Sequence, residues 1–347
     1  MEFGKVVFGG AAGVLPAMII YILFAFYLFY FYLGKSGTGC LLFVFSVSAA
    51  SVGTFLLSRR WTADFSGSFF AGCLYGFGPF MLSLVRFHPS ASLLVSSVPW
   101  LFLPAAFGPA STNRHWHLFR VLASAIPFIA VIIFFQAATH YHFFPVPIGA
   151  GVKPVDLTSF IWPLAAADSA FGELNPIGLY HFANALLFTG LIMMIKARRY
   201  KVMAILAAGI ILAFCPPVWQ VSPIMWFAIP SVVIAILAGA GLDGLVLAGF
   251  SDRKWVLAAA FLSGLFSIAA FSIAMGFIPV NQNLPADIKT LFVFSAKFHL
   301  LTVLALVVIF FMLQSRIRLT GVRRLLIAAA LILDIFLAAR YIVGSAV

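Results

Sequence analysis

Leu191-Ile-Met-Met-Ile-Lys196-Ala-Arg198-Arg199-Tyr-Lys201-Val-Met-Ala-Ile-Leu206 sets four cations in six residues between two apolar runs. The arrangement recurs. Arg59 and Arg60, Arg114 and Arg120, Arg253 and Lys254, and Arg316, Arg318, Arg323 and Arg324 occupy every second gap between such runs. With Lys5, these clusters hold fifteen of the 21 Lys and Arg residues, leaving Lys35, Arg86, Lys153, Lys289, Lys297 and Arg340 elsewhere. Cations concentrate on the cytoplasmic side of membrane spans, so the clustered gaps are expected inside, with the N-terminus inside and the C-terminus outside.

Composition agrees. The chain is 64% hydrophobic and 9% charged with mean hydropathy +1.13, against about 45–50% apolar and about 25% charged in soluble domains. Eleven apolar runs cover approximately 6–33, 39–57, 67–85, 91–108, 119–138, 176–195, 202–217, 223–249, 255–279, 291–314 and 325–343. They are continuous and lack the alternation of barrel strands, and a backbone in lipid must satisfy its own hydrogen bonds. The expected fold is therefore all-α, a polytopic integral membrane helix bundle of about eleven transmembrane helices. It forms one membrane domain over 1–347 with an outer-face loop at 139–175. The first run exceeds the roughly 7–15 residues of a signal h-region, so it is expected to remain as a helix.

The net charge of +12 sits in short clusters at run ends, which points to anionic lipid headgroups as partners and not to nucleic acid. Trp61, Trp116, Tyr200 and Trp255 stand at run ends, as an interfacial aromatic belt requires. Cys40, Cys73 and Cys215 lie in or beside apolar runs without metal-ligand spacing, and read as small buried residues.

The gap 139–175 far exceeds the usual 2–8 residues of a helix–helix connection. Phe143-Phe144 and Phe160-Ile161-Trp162 argue for a folded or re-entrant segment there. His140-Tyr-His142 lies near Asp156, Asp168 and Glu173. Histidine and carboxylate are zinc-ligand types, but no third ligand is set by spacing, and helix-end histidines explain the pair as simply. His115-Trp-His117, beside Arg114 and Arg120, reads as headgroup contact. A haem needs histidines facing one another within spans, and only His181 and His299 are embedded. No metal or other cofactor is required by the sequence.

Embedded ions carry more information. Asp334 stands near the middle of the last run, and Lys297 lies about 10 Å into its own by helical rise. Groups at such depth need a partner or a wet cavity. The two runs are antiparallel, so Lys297 and Asp334 are expected to pair, either locking two helices or lining a substrate or proton path. Arg340 is near enough to the outer face to snorkel. Asp243, within Ala238-Gly-Ala-Gly-Leu-Asp243-Gly, stands among small residues that permit close helix packing.

Three stretches resemble one family together. Phe70-Ala-Gly-Cys-Leu-Tyr-Gly-Phe-Gly-Pro-Phe80 is followed by Phe87-His-Pro89 and Val98-Pro-Trp-Leu-Phe-Leu-Pro104. Lys153-Pro-Val-Asp-Leu-Thr-Ser-Phe-Ile-Trp-Pro163 leads through Phe171-Gly172 to Ile177-Gly-Leu179. Pro223-Ile-Met-Trp-Phe-Ala-Ile-Pro230-Ser runs into Ile236-Leu-Ala-Gly-Ala-Gly-Leu-Asp-Gly-Leu245. Over roughly 40–250, these look like the YfhO-like membrane proteins of the GT-C class of glycosyltransferases.

The resemblance implies action on polyprenyl-phosphate-linked sugars at the outer face of a bacterial plasma membrane. In that class the base is generally an acid on the first outer loop, which here is Gly34-Lys-Ser-Gly-Thr-Gly39, without Asp or Glu. Ala228 and Val232 stand where basic residues usually flank the third stretch. Attack at an anomeric carbon needs a carboxylate to take the acceptor's proton. Asp168 and Glu173 are the catalytic candidates, ahead of Asp156 and Asp287. Asp156, Trp162, His140 and His142 are candidate substrate contacts. The expectation is a GT-C-like protein, active or catalytically degenerate. The alternatives are a transporter or lipid-handling protein working through Lys297, His299 and Asp334, and a non-enzymatic subunit bound to other membrane subunits.

Overall fold

The computed structural model describes residues 11–33, 37–62, 64–107, 151–166, 175–218, 221–278, 286–314 and 320–344, with single helical positions at 129, 133, 137 and 140. Among these, every regular element is helical, apart from an isolated bridge between Val218 and Val221. In order, the helices are α1 (Ala11–Leu33), α2 (Gly37–Ser58), α3 (Phe65–Gly76), α4 (Pro79–Phe87), α5 (Pro89–Phe107), α6 (Pro163–Ala166), α7 (His181–Lys196) and α8 (Tyr200–Phe214). They continue with α9 (Pro223–Trp226), α10 (Ala228–Leu247), α11 (Arg253–Ala274), α12 (Ala286–Gln314) and α13 (Thr320–Gly344). A 3-10 turn, Pro154–Phe160, precedes α6.

Among the described residues, seven segments are long and apolar enough to cross a membrane: Gly13–Tyr30, Leu41–Ser58, Phe65–Phe87, Pro223–Leu247, Phe250–Ala274, Ile288–Gln314 and Thr320–Gly344. Leu23, Phe45, Phe261, Ile268, Phe311 and Leu325 face outward. In water so much exposed apolar surface would drive association, whereas in lipid it is the ordinary outer face. The chain is a helical membrane protein.

Local chemistry explains the breaks. Pro79 lacks an N–H and disfavours a helical Gly78, so the third apolar run divides into α3 and α4, with Phe77 N–H closing α3 on the Cys73 carbonyl at 2.9 Å. His88 joins α4 to α5, and burial holds its imidazole below its ordinary range. The basic stretch after α7 turns sharply because Arg198 takes a left-handed φ of 52°, the position glycine usually fills at a helix C-terminus. Arg198 and Arg199 N–H groups then close on the carbonyls of Ile195 and Met194, both at 3.0 Å.

By its internal contacts the chain groups into two compact units. The first comprises residues 1–77, 81–152 and 201–236, the second residues 78–80, 153–200 and 237–347.

In the first unit, α2 packs against α1, α3 and α5. Tyr21 donates to the Phe69 carbonyl at 2.7 Å and stacks on the Phe69 ring. Trp100 donates from α5 to the Ala49 carbonyl at 2.9 Å. An apolar groove of about 1070 Å³ opens between α1, α2 and α5, lined by Ile22, Leu41, Phe45, Val52, Leu94 and Trp100. Cys73 is buried and Cys215 half-buried, and neither is in a disulfide.

In the second unit, α11 and α12 form the most extensive contact, and α7 packs on α11, α12 and α13. The small residues of α10 do what their spacing predicts. A methyl group on Gly241 would collide with the Leu186 carbonyl, and one on Gly190 with the Leu237 carbonyl. Only glycines let α7 and α10 approach so closely.

Candidate functional site

The segment 153–166 is folded, as expected for the long gap, and it is inserted against α12 and α13. Pro154 starts the 3-10 turn, and the Asp156 carboxylate caps it by accepting from Lys153 N at 2.7 Å. Asn175 reaches the same carboxylate from its backbone N at 3.0 Å and its side-chain Nδ2 at 2.9 Å. Asp156 is fully buried and its oxygens serve the fold, so it is not open to a ligand as a substrate contact. Trp162 is also buried, edge-on to Phe292, and not available for stacking on a sugar.

A coil, 175–180, then leads to α7. Tyr180 offers no side-chain cap, so the first N–H groups of α7 need an outside acceptor. Asp334 on α13 supplies it. Its Oδ2 accepts from Phe182 N at 2.7 Å, and its Oδ1 lies 2.9 Å from His181 Nδ1. The His181 ring stands edge-on to His299, centroids 4.9 Å apart. His299 Nε2 donates to the Ile161 carbonyl at 2.8 Å, tying α12 to the inserted segment. His181 and His299 are 0% exposed and Asp334 is 2% exposed.

The tautomers follow from these partners. A carbonyl only accepts, so His299 Nε2 carries hydrogen and a neutral ring keeps its lone pair on Nδ1. A carboxylate likewise draws the hydrogen of His181 to Nδ1, leaving the lone pair on Nε2. His299 Nδ1 and His181 Nε2 are buried without a hydrogen-bond partner among the described residues. So are Asn184 Oδ1 and Ser295 Oγ, each within a turn of one of the histidines, and Ser159 Oγ and Trp162 Nε1 in the inserted segment. The arrangement has a carboxylate behind one imidazole and a second imidazole beside it. It can hold or pass a proton.

The expected Lys297–Asp334 pair does not form. Lys297 is exposed, while the Asp334 oxygens are occupied by α7. The reason is azimuth: Lys297 is two residues from His299, about 200° around the helix at roughly 100° per residue, so one faces inward and the other out. The embedded His181 and Asp334 were each visible in the sequence, but their pairing was not, because α7 begins only after a coil that carries its first turn to the depth of Asp334. A haem between His181 and His299 is excluded, since a porphyrin cannot lie between rings already in edge contact.

His140 is exposed. His142, Asp168 and Glu173 lie outside the described residues. Among the described residues, no three His, Cys, Asp or Glu side chains are placed to hold a metal ion. Compared with known proteins, the chain matches no family model, no curated protein and no solved structure.

Proposed function

We propose that this is a multi-pass protein of the bacterial plasma membrane, crossing about eleven times from an inner N-terminus to an outer C-terminus. In this reading it serves as a transport or lipid-handling protein whose His181–Asp334–His299 cluster relays a proton on the outer side. The observation that supports it is a pair of buried imidazoles with unpartnered lone pairs set against a buried carboxylate. Capping α7 requires Asp334 alone. It gives no reason to keep two spare basic nitrogens in an apolar bundle, where unpaired polar groups are costly.

The test is proton flux into liposomes holding the purified protein and an entrapped pH dye, driven by an inside-negative potential. Wild type should take up protons. His299→Gln keeps an amide donor for the Ile161 carbonyl but lacks the basic nitrogen, and should lower the flux about a hundredfold, the low end for a lost proton-transfer group. Flux equal to that of empty liposomes, or unchanged in His299→Gln, rejects the relay.

The second reading is a YfhO-like, GT-C-class protein, active or degenerate, on polyprenyl-phosphate-linked sugars. The apolar groove of the first unit favours it, because a polyprenyl chain needs a long hydrocarbon-lined cleft. With Asp156 committed as a cap, Asp168 and Glu173 remain as its base candidates. Native mass spectrometry should then find a polyprenyl-phosphate sugar retained by wild type and lost in Asp168→Asn or Glu173→Gln. Absence of such a lipid removes this reading. Stable copurification with other membrane subunits, and no activity alone, would mark the chain as a subunit instead.

A further inference from the structure

At the other end of α7, away from the histidine pair, a cleft of about 410 Å³ opens beside α10 and α11. Ile192, Met193, Leu245 and Val256 make its wall, and Lys196, Asp252 and Trp255 stand among its polar and aromatic lining. Two ammonium groups lie close to the Trp255 indole: Lys196 Nζ is 5.1 Å and Lys254 Nζ 5.2 Å from its ring centroid. The Trp255 N–H is buried without an acceptor. Among the described residues, Asp252 is the single carboxylate in the cleft lining. Its Oδ2 caps Gly249 N at 3.1 Å, and its Oδ1 is 3.7 Å from Lys196. That pair is half exposed, 52% and 43%, so it holds Lys196 only weakly. Arg253, Arg198 and Arg199 add to the surrounding positive charge.

We infer that this cleft binds an anionic phospholipid, its phosphodiester between Lys196 and Lys254 and part of one acyl chain against Ile192, Met193 and Val256. A free anion would satisfy the cations but leave the apolar wall bare. A neutral lipid would cover the wall and leave two cations with one carboxylate between them. An anionic lipid answers both needs, and an interfacial Trp suits the boundary between headgroup and chain. The clustered cations around the cleft are those expected at the cytoplasmic leaflet, where anionic lipids raise the affinity of basic segments by about fivefold per Lys.

The test is lipid retention by native mass spectrometry after exchange into detergent with equal dioleoyl-phosphatidylglycerol and dioleoyl-phosphatidylcholine. Wild type should retain the anionic lipid preferentially. Lys196→Gln with Lys254→Gln should reduce that retention by about 25-fold. Lys196→Arg with Lys254→Arg, which keeps charge, should preserve it and shows that the loss is not one of folding. Equal retention of the two lipids by wild type, or no loss in the Gln variant, overturns the inference. So does displacement of the lipid by millimolar inorganic phosphate, which would make this a site for free anions.

Discussion

Replacing Asp334 by leucine will destabilise the second unit by about 3 kcal/mol, because it strands two buried donors at about 1–3 kcal/mol each. Two donors lose their acceptor together, the Phe182 N–H at the start of α7 and the His181 Nδ1–H. The average interhelical hydrogen bond within a membrane is worth only about 0.6 kcal/mol. The larger figure applies because leucine fills the space without replacing either acceptor, and the groups stranded are a helix terminus and an imidazole. Asp334→Asn keeps one acceptor oxygen for Phe182 N and should cost about 1 kcal/mol. Thermal unfolding followed by fluorescence-detected size exclusion separates the two. Leucine and asparagine variants of equal stability would show that Asp334 does not cap α7.

The second large effect belongs to the crossing of α7 and α10. Gly241→Leu will remove most folded protein, at about 3 kcal/mol or more, the upper end for overpacking. What the new side chain meets decides this. Beyond the Leu186 carbonyl, it faces Thr189 Oγ1 at 2.7 Å and Gly190 N at 2.9 Å. These are the backbone and a short side chain of the facing helix, so relief requires the helices to separate. Gly321 near the start of α13 is the control, because a methyl there meets nothing within 4 Å. Gly321→Ala, in the first turn, should stabilise by about 0.4 kcal/mol, the low end for replacing glycine at a compatible backbone. The same unfolding measurement reads both variants. Equal effects at Gly241 and Gly321 would refute the close crossing.

Small residues at Ala238–Gly244 were legible as a close-packing face because the pattern lies within one helix. The break at Gly78-Pro79 is local too, imposed by a proline on its own neighbourhood, although the run 67–85 was read as continuous. Asp156 was visible as an acid in a long gap. Its work as a cap was not, since Asn175 reaches it from 19 residues away. Trp162 read as an aromatic for a sugar or a lipid, and whether it faced out depended on α12 beneath it.

By itself, the sequence determined that this chain is a helical membrane protein. Hydropathy is summed residue by residue, and a backbone in lipid has few ways to satisfy itself. Only the tertiary structure decided which buried charges meet. Depth along a helix follows from counting residues, but azimuth and the entry point of a neighbouring coil do not. Asp334 therefore answers His181 and the start of α7, while Lys297, at similar depth, faces away.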